Sequence, residues 1–141
     1  MTACELCELG VPTVVANDKF SVIIVDDANY PGFCRVIWRE HVREMSDLSH
    51  ADRLLLNEAV YELEQAVREV MAPAKINVAS LGNVVPHLHW HVIPRYTDDA
   101  HFPAPVWANP VRETDAAVLA ARRALLPQLL DAIARRFNEP K

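Results

Sequence analysis

Four short apolar runs, at 13–16, 21–25, 33–38 and 75–81, are rich in Val and Ile and bounded by turn residues, which predicts strands. Asn17-Asp18-Lys19 reads as a hairpin turn between the first two, and the stretch 26–32, with Asn29, Pro31 and Gly32, reads as a loop. A fifth run, 87–93, alternates strictly, with His87, His89 and His91 on one side and Leu88, Trp90 and Val92 on the other. Pro94 is expected to end it. Between these runs the apolar period changes. Over 49–72, Leu56, Val60, Leu63, Val67 and Val70 recur at spacings of four and three, which puts them on one helical face. Ser49 is placed to cap that helix, with Asp52 as a capping-box partner, and Pro73 to stop it. A second helical region covers 114–137, with Leu126, Leu130, Ile133 and Phe137 on one face. Pro127 should break it into two shorter helices. The segment 98–110, with Pro103, Pro105 and Pro110, reads as an extended arm. Strands around one long helix predict an α+β fold with an antiparallel sheet.

Composition narrows the class without choosing a function. The 141 residues fit one compact domain, and just over half of them are apolar. A net charge of −5 argues against a nucleic-acid partner, since neutralising many phosphates needs surplus Lys and Arg. A small anionic substrate needs only one local cluster of donors. No apolar stretch approaches the ~20 residues of a membrane span, and the N-terminus lacks the pattern of a secretory signal. Three cysteines, an odd number, argue against a disulfide framework and for a reducing cytoplasm.

The histidine run carries the chemistry. Side chains two apart in a strand share a face at about 6.6–7 Å, so the three imidazoles should line up. Imidazole is the side chain whose unperturbed pKa lets it act as nucleophile, acid or base near neutrality. Gly82, Asn83 and Pro86 make the approach a constrained loop that can offer backbone N–H groups to a ligand. Two competing readings are surface histidines on an exposed strand and metal chelation by a His-x-His pair.

His-Leu-His-Trp-His-Val-Ile at 87–93 resembles the histidine triad motif of the HIT superfamily of nucleotide hydrolases and transferases. The approach Leu81-Gly82-Asn83-Val84-Val85-Pro86 is similar to the proteobacterial branch described as diadenosine tetraphosphate hydrolase-like. The likeness runs from about Cys4 to Trp107, through Pro31-Gly32, Val36-Ile37 and Pro94-Arg95-Tyr96, which suggests a HIT domain over 1–110 and a helical extension over 111–141. The resemblance implies about five antiparallel strands and one long helix. It also implies attack of His89 on the α-phosphorus of a dinucleoside polyphosphate or nucleoside phosphoramidate, through a covalent nucleotidyl-histidine. His91 would assist at the phosphate oxygens or leaving group. Gly82, Asn83 and Asn77 would contact phosphate, and Asp26 or Asp27 the ribose. The family is typically homodimeric, and the long helix offers a pairing surface; no organic cofactor is implied. Two departures stand out: Phe33 where many members carry a further histidine, and Val84 where many carry Ser or Thr. They support the rival reading of a nucleotide-binding regulatory module with little turnover.

Cys4-Glu5-Leu6-Cys7 is a C-x2-C that alone reads as half a tetrahedral site, a redox pair or neither. The resemblance supplies two more ligands, His41 and His87, for a structural zinc. A metal-binding protein in which the histidines hold zinc or copper is the third reading. Of the remainder, Trp38, Trp90 and Cys34 are expected in the core, and Trp107 in the core or at a contact. His50 is expected in solvent and His101 is left between solvent and the site. Arg122, Arg123, Arg135 and Arg136 are expected on solvated helix faces.

Overall fold

The computed structural model describes residues 4–138. Five strands, β1 (Val15–Ala16), β2 (Phe20–Ile24), β3 (Cys34–Trp38), β4 (Lys75–Ala79) and β5 (His89–Arg95), form one sheet in the order β1-β2-β3-β5-β4. Every pairing is antiparallel. The helices are α1 (His50–Met71), α2 (Ala116–Arg123) and α3 (Leu126–Asn138), so the fold is α+β as the pattern predicts.

Register divides the sheet into two chemistries. Val22 pairs with Val36, Val36 with Trp90, and Cys34 with Val92, so these share one face. That face packs on Leu56, Leu63 and Val67 of α1 and on Leu129 and Ile133 of α3, forming the main core. Each such side chain, fully buried, contributes about 1.5–3 kcal/mol. On the other face Ile37 pairs with His89 and Arg35 with His91. No helix of the described residues covers that row, which leaves it for loops and ligand.

Ser49 caps α1 as expected, its Oγ accepting from Asp52 N–H at 3.1 Å. The reciprocal half of the box is replaced by an ion pair, because Asp52 turns to Lys19 Nζ at 3.2 Å. Ala72, just before Pro73, adopts φ 45° and closes the helix in the left-handed region. Gly32 uses its φ of +90° to pass under α1, where a Cβ would meet the Met71 side chain at 3.0 Å.

Several boundaries differ from the pattern. β5 begins at His89, so His87 lies in the approach loop rather than on the strand. Pro94 does not end β5. It pairs with Ile76 of β4 beyond the last β3 partner, an edge-like position where a missing N–H costs nothing. The helical region does break before Pro127, but Leu129 rather than Leu130 turns inward; Leu130 is exposed. The two-helix end packs on the same core, with the Phe137 ring edge-on to Phe20 at 5.8 Å. Arg135 and Arg136 bind Glu69 and Glu62 of α1, so they staple α3 to α1 instead of facing solvent alone. No helix of the described residues is long and apolar enough to cross a membrane.

Candidate active site

A cavity of about 420 Å³ opens on the uncovered sheet face, with His89 and His91 on its floor beside Arg35. The loop through Gly82 and Asn83 makes one wall and Trp107 another. Gly82 has φ +87°, which lets the chain turn sharply between β4 and the histidine strand.

The two floor imidazoles differ in what their nitrogens do. His89 Nδ1 lies 2.6 Å from the His87 carbonyl oxygen. A carbonyl only accepts, so Nδ1 carries the proton and the lone pair of the neutral ring sits on Nε2. That is the tautomer a nucleophile requires. The His91 ring stands at 78° to it, with centroids 4.9 Å apart. Burial, then the charge of Arg35 and the neighbouring His89, lower the His91 pKa to about 4, so His91 is neutral near pH 7. Arg35 Nε donates to its Nδ1 at 3.4 Å, which leaves the Nε2 proton free for a ligand oxygen. Phe33 occupies the adjoining space, edge-on to His91 at 5.6 Å.

The first histidine of the run is turned elsewhere. His87 is fully buried, and its Nδ1 lies 3.4 Å from Cys4 Sγ, 3.6 Å from Cys7 Sγ and 3.2 Å from His41 Nδ1. Cys7 Sγ is 3.4 Å from His41 Nδ1, and the four donor atoms all lie within 4.8 Å of one another. A tetrahedral zinc, with Zn–S near 2.3 Å and Zn–N near 2.0–2.1 Å, spaces its ligand atoms roughly 3.3–3.8 Å apart. The cluster fits that shell. His87 Nε2 donates to the Trp38 carbonyl, the outer hydrogen bond that keeps Nδ1 available to a metal. Burial lowers the His87 pKa and favours the same neutral form. Sequence spacing alone could not show that the triad divides between two sites two residues apart.

Of the other expected residues, Gly82 and Asn83 line the cavity. Asn77 does not: its Oδ1 accepts from Arg95 Nη1 at 2.7 Å on the same sheet face. Asp26 is exposed and borders a separate groove beside β2 and α3. Asp27 accepts from Asn29 N–H in a local turn. Trp107 is half-exposed rather than core, its ring 5.2 Å from that of His91.

The arm that carries Trp107 is not extended. It is a chain of turns closed by one carboxylate. Asp99, fully buried, accepts from Arg95 Nε at 2.8 Å and from the backbone N–H groups of Tyr96, His101 and Phe102 at 2.7–3.0 Å. Tyr30 Oη adds 3.1 Å to Asp99 and lies 2.6 Å from His101 Nδ1, so His101 belongs to this network. Arg122, expected in solvent, binds Asp98 at 2.8 Å and lies 3.5 Å above the Tyr96 ring.

A small antiparallel α+β domain with two histidines on an open sheet face beside a glycine turn defines a histidine triad protein. Residues 11–98 match the HIT domain, and the chain belongs to that family. Among solved structures it is similar to a histidine triad protein from Bradyrhizobium japonicum, at 30% identity and TM-score 0.69, with 89% of each chain covered. It is similar also to one from Marinobacter aquaeolei, at 31% identity and TM-score 0.67, covering 87% of this chain and 90% of that one. A relative called AP-4-A phosphorylase from Mycobacterium tuberculosis is 29% identical over 96 residues, 63% of this chain. The chain spans about half the length of that relative.

Proposed function

We propose that the protein is a nucleotide hydrolase or nucleotidyl transferase that acts at the α-phosphorus through a covalent nucleotidyl-His89. The observation that carries this is the hydrogen bond from His89 Nδ1 to the His87 carbonyl, which directs the Nε2 lone pair into the cavity. Nε2 forms a bond to phosphorus as the bond to the leaving group breaks, and the leaving group departs with the electron pair. Water then adds to the same phosphorus and releases Nε2. Neutral His91, a hydrogen-bond donor at Nε2, assists at the phosphate oxygens or the leaving group. Asn83 and the Gly82 backbone face the same space and bind phosphate oxygens. Radiolabelled substrate quenched in alkali should leave an acid-labile phosphorus–nitrogen adduct on a peptide containing His89. An adduct elsewhere, or none during rapid turnover, would sink the proposal. A nucleotide-binding module with little turnover is the second reading, favoured by Phe33 packed against His91, where it offers no acid.

Cys4, Cys7, His41 and His87 hold a structural zinc in this reading. With four protein ligands the shell is closed, so the ion pins residues 4–7 beside the catalytic strand and takes no part in the reaction. Metal analysis of the reduced protein should find about one zinc per chain, and Cys7→Ser should lose it together with thermal stability. Less than about a tenth of an equivalent in the unaltered protein would refute the site.

The protein pairs as a homodimer in the same reading. β4 is an edge strand, and a groove between it and α1 is walled by Glu64, Arg68 and Val78. Tyr61 and Leu54 on α1 are more than half exposed, which adds apolar area nearby. Sedimentation equilibrium should give twice the chain mass; a monomer at ~100 µM, far above the Kd of a specific interface, would refute it.

A further inference from the structure

Arg35 sits in the middle of β3, on the reactive face and directly opposite His91 in register. It is half-buried, yet among the described residues no carboxylate approaches it within ion-pair distance. Glu5 and Asp27 act on it only at longer range. Its neighbours are the His91 ring, 3.4 Å from Nε, and the Phe33 ring, whose centroid lies 5.7 Å from the guanidinium carbon. Neither neutralises a full charge. Arg95, Arg122, Arg135 and Arg136 each hold a carboxylate. Burial pulls the Arg35 pKa down, but a guanidinium stays charged near neutrality. Withdrawing a charge from water without a partner is costly, so this one is arranged for an anion that arrives from outside.

The cavity restricts what that anion is. Among its lining residues Arg35 alone carries a permanent positive charge; His91 is neutral, Glu5 at the rim is a carboxylate that repels an anion, and the remaining polar side chains are His89, Asn83 and Trp107. The planar fork of a guanidinium matches two oxygens of a phosphoryl group. A phosphorus attacked by His89 lies about 3–3.5 Å from Nε2. Arg35 pairs in register with His91, and Ile37 with His89, so the guanidinium stands beside the second imidazole and not beside the nucleophile.

We propose that Arg35 is a specificity-determining residue that receives a second phosphoryl group, joined to the one attacked at His89. The substrate is then a phosphoanhydride with at least two successive phosphates, rather than a phosphoramidate with one. Phe33 fits the same arrangement: its ring stands edge-on to His91 and within cation–π distance of the guanidinium. This deepens the reading of the cavity as a phosphoryl-transfer site and rests on it.

Equilibrium binding tests the assignment without requiring turnover. Isothermal calorimetry would compare adenosine mono- and diphosphate on the full-length protein and on Arg35→Leu and Arg35→Lys. The unaltered protein should prefer the diphosphate by about tenfold or more, the size of a charge-assisted contact. Arg35→Leu should reduce that preference to less than about twofold while its monophosphate affinity changes little, and Arg35→Lys should fall between. An equal loss for both nucleotides, an undiminished preference in Arg35→Leu, or no diphosphate preference in the unaltered protein would overturn the proposal. So would uptake of inorganic phosphate by the monophosphate complex without any diphosphate preference, which would make the guest a free acceptor. Failure to find the His89 adduct would refute the reaction while leaving this binding result standing, so the two failures are distinguishable.

Discussion

Replacement of His89 by Gln lowers turnover by at least about a thousandfold, with zinc content, fold and nucleotide affinity kept within about threefold. The expectation follows from the division of the triad. His89 Nε2 is the only lone pair among the cavity's imidazoles that its own hydrogen bonding directs at the ligand space. A glutamine keeps a polar side chain of similar length but offers no nucleophile of comparable strength, so the proposed two-step route closes. His91→Ala should cost less, about ten- to a hundredfold, since it removes a hydrogen-bond donor and not the bond-forming atom. On the zinc reading, His87→Ala should instead lose the metal and destabilise the fold, because its Nδ1 faces Cys4 and Cys7. Steady-state kinetics, metal analysis and thermal melts on the three variants separate the roles. More than about a tenth of the original kcat in His89→Gln would exclude the covalent route.

That division was only half-visible in the order of residues. Period two shows which histidines can share a face, and it places His89 and His91 correctly. It does not show where pairing begins, and His87 falls outside β5 because the chain there still runs through the turn after Pro86, with His87 N–H bonded to the Val85 carbonyl. Arg35 was missed although its signal was present. In 33–38 the apolar positions Cys34, Val36 and Trp38 alternate with Phe33, Arg35 and Ile37, so Arg35 belongs to the non-core face. Its nearness to His91 depends on β3 pairing with β5 in one register, a long-range contact that a single sequence does not specify. The arm at 98–110 departs from an extended course for a related reason. Its prolines forbid regular structure, and the turns they permit are set by the buried Asp99 carboxylate near the arm's own start. Long amphipathic segments were easier: the cap at Ser49, the stop at Pro73 and the break before Pro127 depend on neighbours within one turn.

The same carboxylate carries the largest expected effect on stability. Asp99→Ala should cost about 3–5 kcal/mol, because it leaves Arg95 charged and buried and removes the acceptor from three backbone N–H groups. Against a total of about 5–15 kcal/mol, that brings the chain close to unfolding. Asp99→Asn keeps the shape and should lose less, and it exposes the pH dependence. Burial pushes the Asp99 carboxyl up, but Arg95 and the N–H groups of Tyr96, His101 and Phe102 outweigh it and hold the group well below the usual carboxylate range. A carboxylate depressed in the folded state stabilises fully above its unfolded pKa, about 3.9, and loses that contribution as pH falls below it. His91 acts at higher pH with the same sign. Its folded pKa of about 4 lies below the unfolded value of about 6.5, so stability declines as pH falls between them. Urea midpoints of zinc-saturated protein should therefore fall in two stages, from pH 6.5 to 4 and again below 4. Asp99→Asn should retain the first and lack the second, whereas His91→Gln should weaken the first, leaving the share that the buried His87 contributes with the same sign, and retain the second. Parallel curves for Asp99→Asn and the unaltered protein below pH 4 would show that the acid limb arises elsewhere. Loosening of this arm should also reach the cavity, since Trp107 is held beside His91 by the turns that Asp99 closes. Trp107 fluorescence should then lose its sensitivity to bound nucleotide in Asp99→Asn before the protein unfolds, and an unchanged response would confine Asp99 to stability alone.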